Sequence, residues 1–195
     1  DPAPLFWPAG SGGRFNLATL LQQQGKPQEA ATQFDTALKH FTTLSQDAPS
    51  DAQARIDQTH ATLGLARTHL LLGHKADAEA YWSRTTPIIR ELVASSMKSI
   101  RQTAMITDLV GQHVKLAYDL GHRQPGDELN DLLMKQLAAR NDPRLFDPVF
   151  AWRAELASSQ APGELLEILR QWAAKLPDSA NLAAWKTRAE KMHQV

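Results

Sequence analysis

Three glycines recur at an even interval and constrain the fold more than any other feature. They lie at positions 25, 73 and 121, which places neighbouring glycines 48 residues apart. After each of the first two, an alanine follows five positions later and an aromatic residue nine positions later. The matched pairs are Ala30 with Ala78 and Phe34 with Trp82. A fixed period of this size is typical of a helical solenoid, in which each unit buries its apolar face only against its neighbours.

Apolar residues within the units follow helical spacing. Four, three, four and three residues separate Ala30, Phe34, Ala37, Phe41 and Leu44. This spacing predicts one continuous apolar helix face. Each period glycine is predicted to cap the C-terminus of the first helix in its unit. Each unit is therefore predicted to be an antiparallel helix pair.

Proline and capping signals predict the remaining boundaries. Residues 47–51 end the first pair, residues 95–96 end the second, and the turn over residues 122–127 is predicted to be longer than the others. Residues 147–191 predict a loosely matching fourth pair and a polar helix that caps the end. We divide the chain into a Pro/Gly-rich N-terminal segment, 1–13, and a helical repeat domain, 14–195.

Composition narrows the classes of partner. Hydrophobic residues make up 43% of the 195 residues, which is enough for a continuous core. Lysine plus arginine and aspartate plus glutamate both number 21, so no basic excess favours nucleic acid or anionic lipid. No apolar run approaches the roughly 18 residues that span a bilayer. We therefore predict neither nucleic-acid binding nor membrane insertion by this segment.

The cysteine count and the first residue bear on the compartment of the chain and on whether it was cut from a longer protein. The chain has no cysteine, which excludes disulfides, thiolate metal sites and cysteine nucleophiles. This absence slightly favours a location outside the cytosol but determines no compartment. Because the chain begins with Asp1 and not with methionine, we expect a processed chain or a part excised from a longer protein.

The repeated positions resemble the tetratricopeptide repeat, which places a small residue where two helices touch and an aromatic residue behind it. The resemblance rests in the first unit on Leu17, Ala18, Leu21, Gly25, Ala30, Phe34 and Ala37. It implies an all-α, right-handed superhelix of three to four antiparallel helix pairs plus a C-terminal capping helix. The family period is about 34 residues. The longer period here is similar to a long-spaced variety found in bacterial signalling proteins, especially beside serine/threonine kinases.

The resemblance also implies where a partner binds. In this family, peptides usually lie in a concave groove lined by the first helix of each pair. The corresponding positions here are Thr19, Gln22, His60, Arg67, Asp108, Gln112, Lys115 and Tyr118. The residues that grip acidic chaperone tails are missing from the matching positions. The expected partner is another protein or peptide, and a homodimer is left open.

The seven histidines do not show the spacing of a metal site. His69 and His74 are five apart, and His74 lies beyond the predicted helix end, so they do not share a helix face. His74 and His122 each follow a period glycine, where helix carbonyls favour a cation. His69 and His113 are expected to be hydrogen-bonded interior or groove residues, with a pH-sensitive groove as the alternative. We predict no metal and no cofactor.

Catalytic motifs are also missing from the sequence. It contains no GxSxG, P-loop, dinucleotide fingerprint or HExxH. The carboxylates Asp127 and Glu128 are expected at a solvated helix start, where the helix dipole favours them. The predicted function is therefore a non-catalytic binding module, and the resemblance suggests the sensing or regulatory region of a bacterial signalling protein. The alternatives are an envelope assembly scaffold and a small-ligand sensor.

Overall fold

The computed structural model contains six α-helices and a short 3-10 turn in the residues that it describes. The helices are α1 (Ser11–Gln23), α2 (Pro27–Asp47), α3 (Ala52–Leu71), α4 (Lys75–Ser95), α5 (Ile100–Leu120) and α6 (Arg123–Ala138), followed by the turn Pro143–Phe146. The described residues are 11–140, 143–146, 148–149, 152–153, 156, 167, 169–170, 183–184, 186–187 and 190–191. No strand occurs among them. The all-α helical repeat fold is confirmed.

The three period glycines end the first helix of each pair with the same left-handed turn. The φ angle is 71° at Gly25, 80° at Gly73 and 89° at Gly121. In each case the N–H of the next residue donates to the carbonyl five residues before it, at 2.9, 2.9 and 2.7 Å. This is the Schellman arrangement, which glycine adopts without a Cβ penalty. It turns the chain back and makes the paired helices antiparallel.

Polar caps begin α3 and α5, the helices that start the second and third pairs. The Asp51 carboxylate accepts from the Gln53 N–H at 2.8 Å, and Ser99 Oγ accepts from the Gln102 N–H at 3.1 Å. Each side chain satisfies a donor that has no partner inside its helix. Between these helices, α4 continues through Pro87 to Ser95, in agreement with the predicted break.

Two helix starts differ from the predictions. The prediction of a longer turn over residues 122–127 is wrong, because α6 begins at Arg123 with His122 as its N-cap. Pro125 falls in the first turn of α6, where a backbone N–H has no helical acceptor to lose. At the other end, α1 begins at Ser11, within the segment predicted as a linker. The division into domains stays a prediction.

Helix packing follows chain order. Each helix contacts the next, and α1 also contacts α3, while α3 contacts α5. The largest buried cluster joins α3, α4, α5 and α6 and continues to Trp152 and Leu169. The first helices of the three pairs therefore form one continuous layer.

The predicted fourth pair and capping helix lie mostly outside the described residues. Each described position beyond residue 146 is helical, and Trp152, Leu156 and Leu169 are buried. Within the described part, no helix has both the length and the apolarity to cross a membrane.

Candidate functional site

The eight predicted groove residues all lie on the three first helices. We call the surface formed by α1, α3 and α5 the first-helix face. Thr19 and Gln22 belong to α1, and His60 and Arg67 belong to α3. The other four lie on α5 and are Asp108, Gln112, Lys115 and Tyr118. The structure places some of them together and separates others.

His60 joins all three first helices at the centre of the layer. Its side chain is only 1% exposed, and its ring meets the Phe15 ring of α1 edge-on, with centroids 6.2 Å apart. On α5, the Gln112 amide donates to the Asp108 carboxylate at 2.7 Å. Burial lowers the pKa of His60, and this effect is opposed by the Asp108 charge and a hydrogen bond with Gln112. Burial thus favours the neutral ring.

Gln22 connects α1 to α3. Its amide donates to Thr68 Oγ1 at 2.9 Å, and the Thr68 hydroxyl donates to the Gly64 carbonyl at 2.7 Å. Thr19 bonds within its own helix, since its hydroxyl donates to the Phe15 carbonyl at 3.0 Å. Both side chains are half-buried. Gln22 therefore supports packing between helices as well as lining the first-helix face.

Tyr118 belongs to a different group from His60. Its hydroxyl donates to the Asp127 carboxylate at 2.5 Å, and burial raises the pKa of Tyr118. The guanidinium of Arg153, a residue 8% exposed, lies 3.0 Å from the same carboxylate and 3.3 Å from the Tyr118 oxygen. Asp127 is therefore not a purely solvated helix-start residue, as the sequence suggested. It holds a half-buried ion pair that ties α5 and α6 to a later part of the chain.

The predicted residues that remain accessible carry mixed charge. Arg67 and Gln112 are exposed, and Asp108 and Lys115 are half-buried. Arg67 makes no hydrogen bond or ion pair with another residue of the described part. The first-helix face thus presents the Arg67 guanidinium to solvent, beside Lys115 and Asp108, which each already interact with another residue.

One cluster that spacing rules did not predict lies at the turn between α3 and α4. His69, His74 and Asp77 each place one potential ligand atom within 4.8 Å of the other two. His74 does lie beyond the end of α3, as predicted. However, the left-handed turn at Gly73 returns the chain, and the two imidazole centroids come within 5.8 Å. The glycine was the signal in the sequence, because a Schellman turn brings these two positions together.

Comparison with known families supports the repeat assignment. Residues 12–36 and 59–83 each match the family model described as the tetratricopeptide repeat. The chain carries two tetratricopeptide-like repeats. The first covers α1 and the start of α2, and the second covers the later part of α3 and the start of α4. No curated protein and no solved structure matches the chain.

The matched repeats coincide with the units that best keep the repeat positions. Their alanine contacts, Ala30 and Ala78, are fully buried, and their aromatic residues, Phe34 and Trp82, are 2% and 7% exposed. The third pair, α5 and α6, lies outside the matched segments. Tetratricopeptide repeats generally mediate contacts between proteins, so the similarity supports a protein-binding role at this coarse level.

Proposed function

We propose that the chain is a non-catalytic module that binds a protein or peptide along the first-helix face. The observation that carries this proposal is the continuous layer of α1, α3 and α5, with Arg67 and Gln112 exposed on it. Contacts between the helices hold the layer together: His60 is buried against Phe15, and the Gln22 amide donates to Thr68 Oγ1. The concave groove and the eight named residues remain a prediction.

The positively charged side chains of the first-helix face indicate which charge a partner would need in order to bind there. Arg67 is exposed, and Lys115 lies half-buried on the neighbouring helix. Asp108 already accepts a hydrogen bond from Gln112. A partner carboxylate would therefore meet the exposed Arg67 guanidinium, with Lys115 nearby, and such complementarity affects both the association rate and the specificity.

Charge reversal tests this proposal. We would select peptides on the wild-type chain from a random display library and measure their affinity by fluorescence anisotropy. Replacing Arg67 and Lys115 with glutamate is expected to weaken binding by at least about tenfold, because attraction becomes repulsion. The matched control reverses Lys98 and Lys135, which are exposed and lie outside the first helices.

The control distinguishes a local effect from a general effect of net charge. Both double variants change the formal charge equally, so the control should bind within about twofold of wild type. Circular dichroism should show unchanged helicity in both. Equal weakening in the two variants, or full binding by the first, would contradict a site on the first-helix face.

We further propose that the chain is the sensing or regulatory region of a bacterial signalling protein, such as a serine/threonine kinase, and that this region lies outside the cytosol. The long repeat period supports this proposal through sequence resemblance alone. The complete gene tests it: a kinase or DNA-binding domain and one membrane span in the same polypeptide are expected. A gene without them, beside envelope-assembly genes, would favour a scaffold.

Self-association and small-ligand binding are decided by separate measurements. For the homodimer, sedimentation velocity over a concentration series is expected to show a second, heavier species. A single monomeric species at all concentrations would contradict it.

A thermal-shift screen with small metabolites tests the alternative of a small-ligand sensor. A specific ligand would raise the melting temperature saturably.

A further inference from the structure

The turn between α3 and α4 brings together three side chains of metal-ligand chemistry. The His74 N–H donates to the His69 carbonyl at 2.9 Å, which fixes the second histidine beside the first. Asp77 follows in the first turn of α4, and its Oδ2 lies 3.7 Å from Nδ1 of His69. One ligand atom from each residue lies within 4.8 Å of the others.

These distances are close to those of a transition-metal site. Two ligand atoms about 2.0–2.1 Å from a tetrahedral zinc ion lie about 3.3 Å from each other. Small side-chain rotations therefore bring Nδ1 of His69 and Oδ2 of Asp77 to that spacing. Two imidazoles with one carboxylate favour Zn²⁺ and its neighbours over Mg²⁺ or Ca²⁺, which prefer oxygen ligands.

His69 is already oriented for such a role. Its ring stacks on Tyr81, with centroids 5.3 Å apart and an interplanar angle of 20°. Its Nδ1 is buried and has no hydrogen-bond partner among the described residues. The Asp77 oxygen at 3.7 Å is too distant for a hydrogen bond. A buried polar atom without a partner is costly, so this nitrogen favours a ligand at the place towards which Asp77 also points.

The other two units show that the turn itself does not require these residues. The same Schellman turn forms at Gly25 and Gly121 with different side chains. The equivalent positions hold Leu21, Lys26 and Glu29 in the first unit and Ala117, His122 and Pro125 in the third. The three ligand types therefore occur together only in the second unit, and the folding of the turn does not explain them.

We propose that His69, His74 and Asp77 bind one divalent transition-metal ion, with Zn²⁺ as the best match and water in the fourth position. His74 and Asp77 are exposed, so an ion reaches the site from solvent. The bound ion would join the end of α3 to the start of α4 and stabilise the second pair. None of its ligands is among the eight predicted partner-binding residues, so its test is separate from the test of partner binding.

Titration of the chelator-treated chain with ZnCl₂ at pH 7.5 tests the site. Calorimetry is expected to show one ion per chain, and the melting temperature should rise saturably with zinc. His69→Leu, His74→Lys and Asp77→Asn are each expected to weaken zinc affinity by at least about tenfold. The first two introduce the residue types that the first unit has at the equivalent positions, Leu21 and Lys26, so the turn should still form. His40→Gln, which removes an exposed histidine of α2, is the matched control and should bind as wild type does.

Two further measurements keep the result decisive. CoCl₂ should give the strong visible absorption of a tetrahedral site in wild type and not in His74→Lys, whereas MgCl₂ should not stabilise the chain. If His69→Leu loses helicity, the exposed positions 74 and 77 decide the outcome. The proposal is overturned if wild type shows no saturable zinc binding, or if all three variants bind zinc as tightly as wild type.

Discussion

The ring of His113 is held at both nitrogens by two threonines of α4. Nδ1 lies 3.0 Å from Thr85 Oγ1, and Nε2 lies 3.4 Å from Thr86 Oγ1. The Thr85 hydroxyl donates its proton to the Trp82 carbonyl at 2.7 Å, so its oxygen accepts from Nδ1–H. Nε2 is then unprotonated and accepts from Thr86. We infer the neutral Nδ1–H tautomer from this network.

The lowered pKa of His113 agrees with a neutral ring. Burial lowers it from the usual value of 6.5 to about 3, with a smaller effect from Arg90. Between those two pH values the unfolded chain binds a proton that the folded chain does not bind, so stability falls as pH falls through this range. His113 is therefore the predicted hydrogen-bonded interior residue. It does not titrate near neutral pH, which excludes it from a pH-sensitive groove.

The pKa of Asp57 shifts in the opposite direction, which gives the stability a testable pH dependence. Burial raises its pKa from 3.8 to about 7, although a hydrogen bond from Gln53 at 2.5 Å opposes the shift. Between these values the folded chain binds the extra proton, so stability falls as pH rises. Asp57→Asn keeps an acceptor oxygen and removes the charge. At pH 8 we expect it to be about 1–2 kcal/mol more stable than wild type, a value discounted because solvent reaches the half-buried carboxyl.

Urea unfolding at pH 4.5 and pH 8 measures this difference. The gain should be present at pH 8 and several-fold smaller at pH 4.5, where the folded carboxyl is protonated and the pH is only slightly above the unfolded pKa of 3.8. Asp131→Asn, at an exposed position of α6, is the matched control and should change little at either pH. A gain for Asp57→Asn that is equal at both pH values would contradict the raised pKa.

At the scale of helices, Gly64 determines how closely α2 packs on α3. A Cβ added to Gly64 would lie 2.5 Å from the ring of Phe34, which is 2% exposed. We expect Gly64→Ala to lower the free energy of unfolding by about 1–2 kcal/mol, because overpacking outweighs the better helix propensity of alanine. Chemical denaturation measures the change.

Gly13 supplies the matched control for this substitution. It lies in α1, and a Cβ there would meet nothing within 4 Å. Gly13→Ala should therefore raise the free energy of unfolding by about 0.5–1 kcal/mol through helix propensity alone. If Gly64→Ala stabilises the chain as much as Gly13→Ala does, the Phe34 ring moves aside without cost and the packing argument is wrong.

The third helix pair keeps the turn of the repeat but changes its packing. Gly126 replaces the small alanine, and a Cβ there would lie 3.2 Å from that of Ala117. Asn130, only 2% exposed, stands where the first two units have an aromatic ring. Trp152 instead packs on α5, since its Cδ1 lies 2.8 Å from the Cβ position of Gly111. A later part of the chain therefore supplies the large ring.

At the scale of the whole molecule, the buried core is uneven. The largest cluster extends from Ile56 to Leu169 and includes most of α5. Two small clusters hold the first pair to α3, one around Phe34 and Leu65 and the other around Phe41 and Ala61. Because each repeat is stabilised mainly by its neighbours, the end with the smaller clusters should open at lower free energy.

Hydrogen exchange tests this difference in local stability. Amides of α1 and α2 are expected to exchange faster than those of α5, which packs against α3, α4 and α6. Phe34→Leu should speed exchange in α1 and α2 further and leave α5 close to wild type. Mass spectrometry of the exchanged peptides measures both effects. Uniform loss of protection across all six helices would instead show a single cooperative unit.

Several features were predictable because they depend on residues close in sequence. The left-handed turns follow from Gly25, Gly73 and Gly121, and the apolar stripe that contains Ala30 and Phe34 follows from helical spacing. The groove positions named from the family resemblance lie on α1, α3 and α5, while their binding role stays a prediction. Their contacts were not predictable in this way: sequence spacing gave no indication that Tyr118 bonds to Asp127 and Arg153, because the last of these comes from a distant segment.

The sequence by itself determines that this chain is a stack of antiparallel helix pairs, because turn glycines and helical spacing act within a few residues. Only the tertiary structure decided which polar groups meet. The His60 ring contacts Phe15 on one neighbouring helix, and the charge of Asp108 on the other opposes the lowering of the pKa of His60 by burial. Both residues are more than 40 positions away from His60 in the sequence. His69, His74 and Asp77 converge because the chain reverses at Gly73. Such convergence depends on the direction of a turn and on packing between helices, which linear spacing does not contain.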